Sequence, residues 1–241
     1  MNSKRIGFDR KLQLDWLDTT VGLCQGSLDP GTIAERLQQH LVNEVGGAVA
    51  RRKTINILSR IWVNVPQEHR SLRDEALELA VQIKPEERLW LHWGMSLLAY
   101  PLFRDVAATV GQLSHLQGVF SQAQIQRRMI ESWGQRTTLQ RAVRRILRTF
   151  VAWDVLRDTD VRGSYDIAPP RQTDNQSLAL WFLDCALRTN EAEQVLLREL
   201  EQLSYIFPFN LLSFISDVRR SGRFEVTRQG LDLEMVGSGV S

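Results

Sequence analysis

The stretch that decides the fold runs from Ser121 to Leu156, and it opens with SQAQIQRRMIESW, residues 121–133. A break at residues 134–137 is followed by TLQRAVRRILRTFVAWDVL, residues 138–156. In this second segment apolar residues recur three or four positions apart, which is typical of one face of a helix. They are Leu139, Val143, Ile146, Leu147, Phe150 and Trp153. Arginines recur at the same spacing on the opposite side, so the sequence predicts an amphipathic helix with an arginine row.

Turn residues flank this helix on both sides. Thr137 or Thr138 is expected to cap its first turn by accepting hydrogen bonds from free amides. The following sequence RDTDVRGSYDI, residues 157–167, places Gly163 and Ser164 at a turn and predicts a hairpin. Helix, turn, basic helix and hairpin in this order is the winged helix-turn-helix pattern, whose second helix typically enters the major groove of DNA.

Charge distribution bears on two interpretations of the arginine row. An arginine row opposite an apolar face is most often the solvated side of a surface helix. However, residues 121–148 contain seven arginines and one acid, Glu131, whereas the whole chain has a net charge of only +2. Arginine has a planar guanidinium that pairs with phosphates and guanine edges. The sequence therefore predicts nucleic-acid contact in this region. The predicted contact residues are Arg127, Arg136, Thr138, Gln140, Arg141, Arg144, Arg145, Arg148 and Arg162.

Length and composition predict an ordinary globular protein. The chain has 241 residues, of which 43% are hydrophobic and 24% charged, and this suffices for one large domain or two small ones. Cys24 and Cys185 form no CxxC motif and are expected to be reduced, buried residues of a cytoplasmic protein. The longest apolar run, residues 89–103, is too short to span a bilayer and predicts a buried helix. Charged residues interrupt any N-terminal apolar segment, so no signal peptide is expected.

Short connections between predicted elements divide the chain into three regions. Residues 1–116 are predicted to form a helical bundle after a loose tail over residues 1–10. Residues 117–170 form the winged helix-turn-helix, and the stretch 168–174, with two prolines, is a linker candidate. Residues 171–241 are predicted to contain helices over 176–188, 191–205 and 211–219, followed by a β-hairpin. The hairpin is predicted from the alternation of Phe224, Val226, Leu231, Leu233 and Val236 about Gly230.

Two further groups of cations stand apart from the arginine-rich helix. Arg51, Arg52 and Lys53 predict either a solvated face of the third helix or a second nucleic-acid contact, if they lie beside that helix. Near the end of the chain four arginines, at positions 219, 220, 223 and 228, accompany the predicted hairpin. This second arrangement resembles a weaker copy of the winged motif, which either contacts DNA or packs on the bundle.

Catalytic motifs are not found in the sequence. It contains no GxxxxGK[ST], no GxGxxG after a strand, no HExxH and no GxSxG. The four histidines share no metal-ligand spacing, and His92 is expected to be a core residue with a hydrogen-bond partner. We therefore predict a protein that is not an enzyme, with no cofactor, no metal and no small-molecule substrate.

Three stretches together resemble a known family. They are RRKTINILSRIW at residues 51–62, LLAYPLFRD at 97–105 and WGQRTTLQRAVRRIL at 133–147. In these the chain resembles the BrxA family, components of the BREX phage-defence system. The resemblance implies an all-helical N-terminal region likened to the antitermination factor NusB, and DNA binding by a non-enzymatic accessory subunit. It also implies work alongside a methyltransferase, an ATPase and a phosphatase-like protein.

Three hypotheses about function follow from the sequence. The first is an accessory protein of phage defence that binds duplex DNA with little sequence selectivity. The second is a winged-helix transcriptional regulator that reads bases through Gln140 and Arg141. The third is an adaptor whose basic faces bind acidic partner subunits. Whether the nucleic acid is DNA or RNA is left open by the sequence.

Overall fold

A computed structural model describes residues 6–26, 28–229 and 233–239. This part of the chain is mainly helical and contains two small antiparallel sheets, which confirms the prediction of a mainly α protein. Its helices are α1 (Leu14–Gln25), α2 (Pro30–His40), α3 (Ala48–Trp62), α4 (Arg70–Gln82), α5 (Arg88–Ala99), α6 (Pro101–Gln117), α7 (Gln122–Trp133), α8 (Thr137–Ala152), α9 (Gln176–Thr189) and α10 (Ile215–Arg220). Its strands are β1 (Phe120–Ser121), β2 (Leu156–Asp158), β3 (Ser164–Ile167), β4 (Gln194–Leu196), β5 (Phe224–Gln229) and β6 (Leu233–Ser238).

Sequence signals mark some of the boundaries of helices α1 to α6. The carboxylate of Asp29 caps α2 by accepting hydrogen bonds from the amides of Gly31 and Thr32, as expected of an acidic residue before a helix. Tyr100 separates α5 from α6, because Pro101 occupies the first position of α6 and disfavours helical backbone in the residue before it. The helical character predicted for this region is confirmed.

The region predicted to be a winged helix-turn-helix, residues 117–170, begins at the end of α6. It contains α7, α8 and the first sheet. Ser121 and Gln124 form a capping box at the start of α7, and Gly134, with a φ of 78°, ends that helix. Strands β1, β3 and β2 form an antiparallel sheet in that order. The predicted capping of α8 by a threonine is wrong, since Arg136 occupies the cap position and no side chain caps the helix.

The apolar face of α8 lies in the core. The six apolar residues that predicted the helix are all exposed by 1% or less. Phe150 stacks on Trp93 of α5, with ring centroids 4.8 Å apart, and meets Phe103 of α6 edge-on at 5.2 Å. Burial of this face orients the arginine row of α8 away from the core.

The C-terminal region differs from its prediction in one element. Residues 191–205 were predicted to be a helix, but they form β4 and two short 3₁₀ turns, Leu197–Gln202 and Ser204–Ile206. Strand β4 pairs with β6 and so extends the predicted hairpin into a sheet of order β4-β6-β5. The hairpin itself is confirmed, while Gly230 and Leu231 lie outside the described residues. The last predicted helix begins later than expected, at Ile215.

One continuous core includes residues from all three predicted regions. The indole N–H of Trp93 donates to the carbonyl oxygen of Tyr205 at 3.0 Å, and that of Trp181 donates to the carbonyl oxygen of Leu72 at 2.9 Å. The linker candidate is irregular but packed, since Thr173 donates to the carboxylate of Glu87. The core is therefore continuous across residues 116 and 170, and the division of the chain into three domains stays a prediction.

Three residues singled out in the sequence lie in or near this core. Cys24 and Cys185 are free thiols, the first half-buried and the second buried, and burial raises the pKa of Cys24 to about 11. His92 is buried, and its Nε2–H donates to the carboxylate of Asp18 at 3.1 Å. The prediction that His92 is a hydrogen-bonded core residue is confirmed.

Among the described residues, no helix combines the length and the apolar character needed to cross a bilayer.

Candidate nucleic-acid interface

Three arginines of α8 point into solvent. Arg141, Arg144 and Arg145 are exposed, and none of them forms an ion pair or hydrogen bond with the described residues. They lie on the face opposite the buried apolar residues of the helix. The charge of these side chains is therefore available to a ligand outside the protein.

Arg148, the fourth arginine of α8, has a structural role. Its guanidinium donates to both carboxylate oxygens of Asp158 on β2, at 2.6 and 2.8 Å. The hydrogen bond that Arg148 donates to Asp158 raises the pKa of Arg148, and Tyr165 on β3 also interacts with Arg148. Arg148 thus joins α8 to the hairpin, and its charge is compensated within the protein.

The other predicted contact residues of this region are spread over α7, α8 and the hairpin. Arg127 on α7 and Arg162 in the turn between β2 and β3 are exposed and have no partner among the described residues. Arg136 precedes α8, and its guanidinium donates to the carbonyl oxygen of Trp133 at 3.0 Å. Thr138 is exposed in the first turn of α8, whereas Gln140 is half-buried.

The three cations of α3 do not form one patch. Arg51 is half-buried and donates to the carbonyl oxygen of Val45 at 3.0 Å. Lys53 pairs with the carboxylate of Asp9 at 3.1 Å. Arg52 is exposed and lines a separate depression between α2 and α3. Of these three cations, Arg52 alone is both exposed and without a partner among the described residues.

A groove of about 850 Å³ runs between α8 and the first residues of the described chain. We call it the α8 groove. Its lining includes Arg141 and Arg145 of α8 and Ala50 and Thr54 of α3. The remaining lining residues are Arg10, Lys11, Gln13, Trp16, Glu44, Val45 and Gly46. The groove brings the arginine row beside cations that the sequence did not connect with it.

Buried contacts hold the N-terminal segment against α8. Phe8 and Leu12 are fully buried, and the backbone N–H of Leu12 donates to the hydroxyl of Thr149 at 3.0 Å. The prediction of a loose tail over residues 1–10 is therefore wrong for residues 6–10, while residues 1–5 lie outside the described residues. Arg10 and Lys11 were missed as site residues, although the basic character of this segment was visible in the sequence.

A cluster of potential metal ligands lies at the edge of the α8 groove. Asp15, His40 and Glu44 are exposed, and their ligand atoms lie within 4.8 Å of one another. Glu44 is oriented by the indole N–H of Trp16, which donates to its carboxylate at 2.5 Å. Carboxylate and imidazole groups can hold a divalent transition metal. This cluster was not predicted from the sequence, although His40 and Glu44 lie four positions apart.

The arginines near the end of the chain are compensated by carboxylates. Arg223 forms two hydrogen bonds with Glu75 of α4, at 2.6 and 2.7 Å, and one with Asp184 of α9 at 2.9 Å. Arg219 and Arg228 both pair with Glu234, and Arg220 pairs with Asp217 at 2.9 Å. Two alternatives were left open for this region, contact with DNA and packing on the bundle. Arg223 packs on the rest of the protein, because it contacts α4 and α9.

Comparisons of the chain with family models, with curated proteins and with solved structures find no match.

Proposed function

We propose that the protein is a non-enzymatic accessory protein of a bacterial phage-defence system that binds duplex DNA with little sequence selectivity. In this proposal residues 117–170 form a winged helix-turn-helix and α8 lies in the major groove. The observation that carries it is the exposure of Arg141, Arg144 and Arg145 without acidic partners. Exposed guanidinium groups on one helix face suit binding to phosphates.

The order of elements also supports the proposal. Helices α6 and α7 are separated by β1, a turn joins α7 to α8, and the β2–β3 hairpin follows α8. The short strand β1 pairs with β3, so the hairpin is fixed beside the two helices. Arg162 lies in the turn of this hairpin, where a wing would approach the DNA backbone.

The assignment to phage defence has a different basis. It rests on the resemblance of residues 51–62, 97–105 and 133–147 to the BrxA family, and the last of these stretches includes Arg141, Arg144 and Arg145. In a bacterium that carries this protein, we expect deletion of the protein to reduce phage resistance and Arg144→Glu to reduce it to the same level. Resistance unchanged by both the variant and the deletion would contradict this part of the proposal.

We propose weakly selective binding rather than a base-specific regulator because of the position of Gln140. Gln140, which would read bases together with Arg141, is half-buried. Binding that depends on phosphate contacts alone should be strongly salt-dependent. With about six contacts, the affinity should fall roughly 10³-fold between about 50 and 200 mM salt.

A binding titration on duplexes of unrelated sequence tests the proposal. We expect Arg144→Glu to weaken binding and to lower the slope of log affinity against log salt by about 1. Arg36→Glu makes the same charge change at an exposed residue of α2 without a partner among the described residues, and it should bind like the wild type.

Two results would contradict the proposal. One is no binding of the wild type to any duplex at low salt. The other is equal binding by the wild type and Arg144→Glu, with circular dichroism showing that both are folded. Binding to an acidic protein subunit that survives nuclease treatment, in the absence of duplex binding, would favour the adaptor hypothesis instead.

A further inference from the structure

The α8 groove provides a second surface beside the exposed face of α8. We propose that one phosphodiester strand of the bound duplex lies in this groove, between α8 and residues 8–13. This inference rests on the proposed function, because it names the part of the duplex that the groove holds. It adds Arg10 and Lys11, which lie more than 120 residues before α8 in the chain, to the contact surface.

Positive charge predominates in the α8 groove. Its lining includes four cations, Arg10, Lys11, Arg141 and Arg145, and one carboxylate, that of Glu44. The indole N–H of Trp16 occupies one oxygen of that carboxylate. Lys11, Arg141 and Arg145 form no ion pair with the described residues. A phosphate entering the groove would therefore not have to displace an acidic partner from these three side chains.

The walls of the groove are held in place by contacts outside it. Burial of Phe8 and Leu12 fixes the segment that carries Arg10 and Lys11. On the other side, Arg51 donates to the carbonyl oxygen of Val45 and so holds the loop between α2 and α3. Because these backbone segments are already ordered, less conformational freedom is lost on binding than with a disordered basic tail.

Docking of α8 brings this surface to a DNA strand. The major groove is about 12 Å wide and is bounded by two strands, while a helix with its side chains is about 10–12 Å across. The strand on the bundle side would therefore pass between α8 and residues 8–13. Arg141 and Arg145 line that passage, whereas Arg144 does not. Arg144 would therefore contact the bases or the opposite strand.

Gly46 allows the charge of the groove to be changed without removing a native side chain. A Cβ at Gly46 would meet no atom within 4 Å, and Gly46 lines the groove. Gly22 is a matched control, since a Cβ there also meets no atom within 4 Å and the residue lies on α1 outside the groove. We expect Gly46→Glu to weaken duplex binding and to lower the salt slope by about 1. Gly46→Lys should strengthen binding, and Gly22→Glu should leave it unchanged.

These titrations use the full chain, a fluorescent duplex and EDTA, which prevents a cation at Asp15, His40 and Glu44 from bridging to the DNA. They also separate the two proposals. If Arg144→Glu loses binding while Gly46→Glu binds like Gly22→Glu, the strand does not lie in the groove and the proposed function stands. If the wild type does not bind the duplex, both proposals are wrong.

Cleavage mapping tests the position of the strand directly. An iron chelate attached to Gly46→Cys generates hydroxyl radicals in the groove when ascorbate and hydrogen peroxide are added. We expect it to cut the duplex more strongly than the same chelate attached to Gly22→Cys, which lies outside the groove. The native thiols should not take up the reagent at neutral pH, because Cys185 is buried and the pKa of Cys24 is raised to about 11. Wild-type protein treated in the same way is the control. Equal cleavage by the two labelled variants, or no cleavage by a labelled Gly46→Cys that binds the duplex, would overturn the inference.

Discussion

Gly111 lies on the buried side of α6, where the turn at Ser204–Ile206 crosses the helix. A Cβ at Gly111 would lie 2.0 Å from the carbonyl oxygen of Ser204 and 3.2 Å from the Cβ of Phe207. The nearest atom belongs to the backbone, so rotation of a side chain cannot relieve the overlap. The absence of a side chain at this one residue allows the C-terminal turns to pack directly on α6.

Gly111→Ala should therefore lower the free energy of unfolding by about 1–3 kcal/mol or more, as overpacking of a core does. Gly22→Ala is the matched control, because a Cβ there meets no atom within 4 Å. In the interior of α1 it should raise the free energy of unfolding by about 0.5–1 kcal/mol. Urea unfolding of both variants measures the difference, and an unchanged midpoint for Gly111→Ala would show that the turn does not approach α6 so closely.

At the level of secondary-structure elements, the pair between Arg148 and Asp158 connects α8 to the β2–β3 hairpin. Both side chains are more than a third exposed, and exposed pairs contribute about 0–1 kcal/mol. We expect Asp158→Asn to change the free energy of unfolding by less than about 1 kcal/mol. The same variant should strengthen duplex binding, because it removes a negative charge beside the arginine row.

Glu78→Gln is the control for this prediction. Glu78 is exposed on α4 and has no partner among the described residues, so the variant makes the same charge change far along the chain from α8. Duplex binding and urea unfolding are measured on both. An equal gain in affinity for the two variants would mean that total charge, and not the hairpin, controls binding.

Helices with a clear apolar period were predictable from the sequence. The exception is the helix predicted over residues 191–205. In residues 191–205 the apolar residues Leu197 and Leu200 are three apart, which fits an α-helix and a 3₁₀ turn equally well. The structure has 3₁₀ turns there because residues 194–196 pair with β6. That pairing joins distant parts of the chain, so it cannot be predicted from the spacing of apolar residues within 191–205.

The candidate site was predictable only in part, for a similar reason. The exposed arginines of α8 follow from the helical period of residues 138–156. The partners of Arg148 and Arg223 do not, since Asp158, Glu75 and Asp184 reach them through tertiary contacts. The position of Arg10 and Lys11 likewise depends on a contact between residues 12 and 149.

At the scale of the whole molecule, the shared core predicts cooperative unfolding. Residues of the three predicted regions pack together, and Trp93 and Trp181 each hydrogen-bond to a distant region. We expect tryptophan fluorescence and far-ultraviolet circular dichroism to report the same urea midpoint, as in two-state unfolding. Two separated transitions would instead indicate regions that unfold independently.

The hydrogen bond between Leu12 and Thr149 joins residues 137 positions apart. During synthesis on the ribosome, the segment that carries Arg10 and Lys11 emerges long before α8 does. The two sides of the α8 groove can meet only after residue 149 has left the exit tunnel. A nascent chain would therefore lack the complete surface, and translation products that stop before α8 should be unable to compete with the finished protein for a ligand of the groove.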